Sequence, residues 1–182
     1  MTAIIHSDRL DLIPLTPAVL RAMLAGNAGE AGRLLGLAAP AVLAQPRSVL
    51  EFFLQRLESD PALQPWSART ICLREAGIVI GDIGFHSAPG HESLASLSPG
   101  GVEFGYSVLE SWRRQGIATE AAEALMRWAR KVHGVTRFVV SISPNNLPSL
   151  GLVAKLGFRK IGSHIDEEDG PEDIFERTCT FS

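Results

Sequence analysis

Arg113-Arg114-Gln115-Gly116-Ile117-Ala118 is the stretch on which the fold turns. It follows the run Val102-Glu-Phe-Gly-Tyr-Ser-Val108 and precedes a segment in which Ile117, Ala121, Leu125, Ala129 and Val132 recur at helical spacing. The spacing predicts a strand over 102–108 and an amphipathic helix from Ile117. A helix start leaves several backbone N–H groups unpaired and carries partial positive charge. A glycine there lets an anion approach the backbone, and Arg113 and Arg114 add charge, which makes a candidate pyrophosphate site. An ordinary connecting loop stays open as the other reading. Competing phosphate motifs do not fit, since there is neither a Gly-Lys-Ser/Thr nor a three-glycine dinucleotide fingerprint.

Working outward, 137–143 is a short β-branched strand and 147–156 a helix stopped at Gly157. Two strands around a polar turn at 166–173 end the chain. Upstream, 9–14 alternates as a half-buried strand, and Thr16-Pro17 caps a helix to about Leu24. Residues 26–45 are rich in Ala and Gly and predict short helical pieces with mobility. Ser48-Val-Leu-Glu51 fits a capping box for a helix from Val49 to about Ser59, ended by Pro61 and Pro65. Strands over 68–74 and 78–86 meet through Glu75-Ala76-Gly77 as a hairpin, and a Gly, Ser and Pro-rich loop covers 87–101. Antiparallel strands followed by a strand–helix–strand unit give an α+β class with a mixed sheet.

The bulk numbers narrow the partners. With 182 residues, 46% hydrophobic and 20% charged, the chain suits one globular domain over 1–182. A net charge of −3 argues against broad nucleic-acid binding. No apolar run approaches the roughly 20 residues of a membrane span. Cys72 and Cys179 lack metal or redox spacing, so a reduced, cytoplasmic setting is expected, with a disulfide as the lesser alternative. The five histidines show no metal spacing, and no metal is expected.

Arg113, Gly116 and Ala118 satisfy Arg/Gln-x-x-Gly-x-Gly/Ala, and Thr119-Glu120-Ala121 continues it. With Arg9-Leu-Asp-Leu12, Gly81-Asp-Ile-Gly-Phe85, Val102-Glu-Phe-Gly-Tyr106, Asn146-Leu-Pro-Ser149 and Lys155-Leu-Gly-Phe158, the chain resembles the GCN5-related N-acetyltransferase (GNAT) superfamily. Within it, the similarity is to the branch of the ribosomal-protein alanine and serine acetyltransferases, and it covers most of the chain except 26–45. The resemblance implies a mixed, mostly antiparallel sheet flanked by helices and splayed between its fourth and fifth strands, with acetyl-coenzyme A in the gap.

It further implies direct attack of a primary amine on acetyl-coenzyme A, without an acyl-enzyme. Backbone groups of Tyr106, Ser107 and Val108 would face the pantetheine arm and thioester. Gln115, Gly116, Ile117, Ala118 and Thr119 would hold the pyrophosphate, with Arg113 and Arg114 in support. Asn146 and Ser149 would contact the cofactor, Asn146 serving equally as a helix N-cap. Glu103 is the candidate base, directly or through water, sharing a strand face with Gly105 and Ser107. Its other reading is a solvated charge or a structural ion pair. The tyrosine that many relatives use as acid is replaced by Val153. Ser149, one turn earlier on the same face, is a candidate to hydrogen-bond the sulfur, or is a helix-start serine with no chemical task.

Several readings stay open at this level. His86 is a substrate-side candidate, and Phe158 is core before it is cofactor wall. Asp166-Glu-Glu-Asp169 with Glu172 and Asp173 is a solvated turn or a lure for a cationic acceptor. The acceptor is a protein N-terminus, a polyamine or another small amine, and a homodimer is compatible with the resemblance. The alternatives to an active enzyme are a catalytically inactive coenzyme A-binding regulatory module and a structural partner protein with an empty glycine turn.

Overall fold

The computed structural model describes residues 3–37, 45–166 and 170–179. In chain order the elements are β1 (Ile5–His6), β2 (Leu10–Pro14), α1 (Pro17–Leu24), α2 (Ala28–Leu34), α3 (Arg47–Ser59), β3 (Ala68–Leu73), β4 (Ile78–Phe85), β5 (Val102–Val108), α4 (Ile117–His133), β6 (Arg137–Ile142), α5 (Leu147–Lys155), β7 (Arg159–Asp166) and β8 (Gly170–Thr178). Among the described residues the strands form one sheet in the order β1-β2-β3-β4-β5-β6-β8-β7. The pairs β1–β2, β2–β3, β3–β4, β6–β8 and β7–β8 are antiparallel, and β5–β6 is parallel. This is the mixed, mostly antiparallel sheet expected from the sequence. The β5–β6 register is Val102↔Phe138 and Glu103↔Val139, a short pairing of the kind a splayed pair of strands requires. The strand counted fourth in the sequence is the fifth here, because two residues at Ile5–His6 pair with β2 ahead of it.

The chain divides into two compact units, 1–84 with 106–125, and 85–105 with 126–182. In the first, α1, α2 and α3 pack with β2 and β3 around Leu15, Val19, Leu20, Leu50, Phe53, Leu57 and Ala68. Thr16 Oγ1 accepts from the Val19 N–H, and Pro17 occupies the first turn, where its missing N–H costs nothing. In the second, Phe104 meets Phe85 and Phe158 edge to face at centroid distances of 6.3 and 6.2 Å. That contact puts the buried Phe158 in the core.

Three sequence expectations shift. The capping box at Ser48 does not form, because α3 begins one residue before it with Pro46 at the cap and no side-chain cap bond. Glu51 instead takes the Arg47 guanidinium at 2.8 Å, one helical turn away. Val132 leaves the buried stripe of α4 at 61% exposure, since the last turn of α4 is solvent-facing while Ile117, Ala121, Leu125 and Ala129 are buried. The closing turn is narrower than 166–173, because β7 extends to Asp166 and β8 starts at Gly170. Of the expected short helical pieces in 26–45, α2 is present, and 38–44 lie outside the described residues, as do 167–169 of the acidic cluster.

Candidate active site

In the first unit, β5 ends at Val108, a 3-10 turn spans Glu110–Trp112, and 113–116 lead into α4. Arg114 at φ 61° and Gly116 at φ 79° are both left-handed and bracket Gln115. Arginine accepts that conformation only at a cost of about 1–2 kcal/mol, so the turn shape is imposed by its surroundings. Arg113 Nε donates to the Val108 carbonyl at 3.0 Å, and Gln115 Nε2 to the Ser111 carbonyl at 3.1 Å. These bonds hold the turn against the strand end. Arg113, Arg114, Gln115 and Gly116 are exposed, Ile117 is buried, and Ala118 and Thr119 are half-buried.

A residue that sequence reading did not assign completes this turn. Arg9, immediately before β2, donates through its guanidinium to Glu120 Oε2 at 2.7 Å and to the Gln115 carbonyl at 3.1 Å. A Cβ at Gly116 would have the Arg9 guanidinium at 3.5 Å as its neighbour. Burial pushes the Glu120 carboxyl up, but bonds from the Arg9 backbone, Ser7 and the Arg9 side chain outweigh it and hold the carboxyl below its ordinary value. The turn, the helix start and the Arg9 and Arg113 guanidinium groups beside them could hold an anion such as a pyrophosphate. Arg9 opens the quoted Arg9–Leu12 run, but no spacing announces its carboxylate partner 111 positions away.

Ser107 and Asp82 face each other in the same unit. Asp82 is 5% exposed, and its carboxylate accepts from Gln45 Nε2 and Ser107. Its Oδ2 has no partner among the described residues. Burial raises its pKa to about 6 against those two bonds. Sequence reading touched Asp82 only inside the quoted Gly81–Phe85 run. A buried carboxylate with one oxygen unpaired among the described residues is a functional candidate. Tyr106 is half-buried beside Ser107, and Val108 is buried.

The second unit holds Glu103. Ser141 Oγ on β6 donates to Glu103 Oε1 at 2.6 Å, and His86 Nδ1, just past β4, lies 3.8 Å from Oε2. Burial alone would raise this carboxyl. The His86 hydrogen bond and charge, the Ser141 bond and the charge of His164 reverse that and hold it below the ordinary carboxylate range. A Cβ on Gly105 would sit 2.8 Å from His86 Nε2, so the glycine makes room for the imidazole. Sequence reading found Glu103 but neither its hydroxyl partner nor the role of Gly105.

Asn146 caps α5, its Oδ1 accepting from the Ser149 N–H at 3.2 Å, and Ser149 is half-buried. Val153 is buried at 2% exposure. Of the acidic cluster, Asp173 pairs with Lys160 at 2.6 Å and Glu172 with His164 at 3.5 Å. Both acids are therefore occupied on the β7–β8 ladder. Among the described residues no group of three or more His, Cys, Asp or Glu is placed to hold a metal. No helix among them is long and apolar enough to cross a membrane.

An N-alpha-acetyltransferase of Saccharolobus solfataricus is 33% identical over 82 residues, 43% of this chain and 49% of the relative. The chain thus spans about half the length of the curated relatives it matches first. The ribosomal-protein-S5-alanine acetyltransferase of Vibrio fischeri superposes with a TM-score of 0.66 at 16% identity, covering 97% of this chain and 96% of that one. RimL, a ribosomal L7/L12 alpha-N-protein acetyltransferase in complex with coenzyme A, gives 0.66 at 19% identity, covering 97% and 98%. The acetyltransferase (GNAT) domain matches residues 9–159, and the chain belongs to that family.

Proposed function

We propose that this chain binds acetyl-coenzyme A and transfers its acetyl group to a primary amine by direct attack in a ternary complex. The observation that carries the reading is the Arg113–Gly116 turn, with two left-handed residues, an exposed glycine and the Arg9 guanidinium at the start of α4. The GNAT match over 9–159 and the coenzyme A complex of RimL support it. Residues 1–182 act as one N-acetyltransferase domain on this reading.

Acetyl-coenzyme A supplies the activated thioester. The N–H groups of Gln115, Gly116, Ile117, Ala118 and Thr119 bind pyrophosphate oxygens, and Arg9, Arg113 and Arg114 offset their charge. Backbone groups of Tyr106, Ser107 and Val108 orient the pantetheine arm and polarise the carbonyl. Glu103 serves proton removal from the amine, and Ser149, with Asn146 fixing its helix start, hydrogen-bonds the departing sulfur. The acceptor is a protein N-terminus or a small amine, the first favoured by the N-alpha-acetyltransferase relative. Unpaired Cys72 and Cys179 suit a reducing, cytoplasmic setting.

The second reading is an inactive coenzyme A-binding module, favoured by the buried Val153 at the position where the family resemblance implies an acid tyrosine. Calorimetric titration with acetyl-coenzyme A followed by turnover against amines separates the two. Binding with transfer supports the enzyme, binding without transfer supports the module, and no binding removes both.

A further inference from the structure

We propose that Ser107 selects primary amines by receiving one N–H of the acceptor on its hydroxyl oxygen, and that Asp82 is a positioning residue that keeps the Ser107 hydrogen turned away from the acceptor. The proposal rests on the acetyltransferase reading above, in which the backbone of Tyr106, Ser107 and Val108 faces the thioester. It adds a task for a side chain at that place. Every group it needs lies in the first unit, 1–84 with 106–125.

Asp82 on β4 and Ser107 on the neighbouring β5 meet through their side chains. The two strands are held together here, the Leu109 N–H donating to the Ile80 carbonyl at 2.9 Å. A Cβ on Gly81 would fall 2.2 Å from the Ser107 carbonyl oxygen, so only glycine lets β5 come this close. Asp82 is 5% exposed, and its Oδ2 is buried with no hydrogen-bond partner among the described residues. The acid is thus closed to an incoming amine, whereas Ser107 is only half-buried. Gln45 Nε2 and the Ser107 hydroxyl serve the carboxylate, while Thr70, opposite Asp82 on β3, gives its hydroxyl to the Ile13 carbonyl.

Above about pH 6 the carboxylate carries no proton to donate, so the bond runs from the serine hydroxyl to the acid. A buried charge short of donors holds those it has. The Ser107 hydrogen is thereby committed, and its Oγ meets the site as a lone-pair acceptor. That polarity distinguishes amines. A neutral primary amine attacks through its lone pair and carries two N–H groups. One proton leaves as the amide forms, and the other stays on nitrogen for Ser107 Oγ. A secondary amine has a single N–H, which it must lose, and so leaves the serine oxygen unpaired.

The test uses the full chain as wild type, Ser107→Ala, Ser107→Thr, Asp82→Asn and the Ser107→Ala/Asp82→Asn double variant. The probes are acetyl-coenzyme A with two amine pairs: a peptide with N-terminal alanine against its N-methylalanine form, and benzylamine against N-methylbenzylamine. Ser107→Ala is expected to bind acetyl-coenzyme A as wild type does by calorimetry. It should lose about tenfold in kcat/KM for the primary amine and little for the secondary one, so the preference contracts about tenfold. Asp82→Asn, whose amide can donate to the serine and turn its hydrogen into the site, should show the same contraction. Ser107→Thr keeps the hydroxyl and should restore the preference, and the double variant should be no worse than either single one. A preference unchanged in Ser107→Ala or Asp82→Asn, additive losses in the double variant, or a parallel loss of acetyl-coenzyme A affinity overturns the proposal and leaves the enzyme reading intact. If no form acetylates a secondary amine, the primary-amine kcat/KM decides alone, and a Ser107→Ala value within twofold of wild type overturns the proposal. Failure of the wild type to bind acetyl-coenzyme A or to acetylate either primary amine overturns both.

Discussion

Arg9 and Glu120 close on each other at 2.7 Å, so that the approach to β2 is bolted to the first turn of α4. Acid in a first turn favours the helix dipole but repels a phosphate placed there. Arg9 offsets that repulsion, and its backbone N–H and the Ser7 hydroxyl both donate to Glu120 Oε1 at 2.7 Å. The pair therefore fixes the turn and sets its charge together.

Arg9→Ala leaves the Glu120 carboxylate uncompensated beside the pyrophosphate site. Acetyl-coenzyme A affinity should fall about tenfold, close to 1.4 kcal/mol. Glu120→Gln in the same background should recover most of that loss, since the repulsive charge is gone. Calorimetry on the two variants checks it, and equal loss in single and double variant would show that Arg9 acts through packing alone.

Gly116→Glu should abolish acetyl-coenzyme A binding in a protein that still folds. A side chain at φ 79° costs about 1 kcal/mol, and its carboxylate meets the phosphates. The position is exposed, with only the Arg9 guanidinium near the new Cβ, so the fold survives. Far-ultraviolet circular dichroism confirms folding and titration calorimetry reads the affinity; retained affinity would remove the phosphate assignment.

Gly105→Ala tests the other unit. Its methyl would come within 2.8 Å of His86 Nε2 and displace the imidazole. We expect kcat to drop about tenfold while acetyl-coenzyme A affinity holds, the pattern of an interaction needed only for chemistry. Parallel loss of both would point to a distorted β5.

Asp82 makes stability depend on pH. Burial lifts its pKa from 3.8 to about 6 in the folded chain, so the folded state holds the proton more tightly than the unfolded one. Below pH 3.8 both states are protonated and the group contributes nothing. As pH rises from about 4 to about 6, the unfolded chain gains stability first, and the fold loses up to about 3 kcal/mol. Asp82→Asn should flatten that decline and raise stability above pH 6. Urea unfolding from pH 4 to pH 7 measures it, and parallel curves for variant and wild type would contradict the assignment.

The elements legible in the sequence are those whose signals are local. Thr16-Pro17 set the start of α1 and the 102–108 run the bounds of β5, as observed. Ser48 misled because Pro46 already fixes the backbone for entry into α3, which leaves the serine inside the helix. Val132 fitted the period but sits in a last turn with no core beneath it. The site was half legible for a related reason. Gly116 and Glu103 sit in recognisable runs, whereas Arg9–Glu120, Asp82–Ser107 and His86–Glu103 are pairings of residues far apart in the chain. Arg9–Glu120 joins the approach to β2 to helix α4, while the other two pairings lie between strand segments, and no spacing rule reports such contacts.

Titration of the purified chain with acetyl-coenzyme A and with free coenzyme A tests the central claim most directly. The Arg9, Gly116 and α4 arrangement predicts saturable binding of both at micromolar concentration, weakened by salt as phosphate contacts are. No heat and no rise in unfolding temperature at millimolar ligand would contradict it, and the turn at 113–116 would then be a loop with no cofactor to hold.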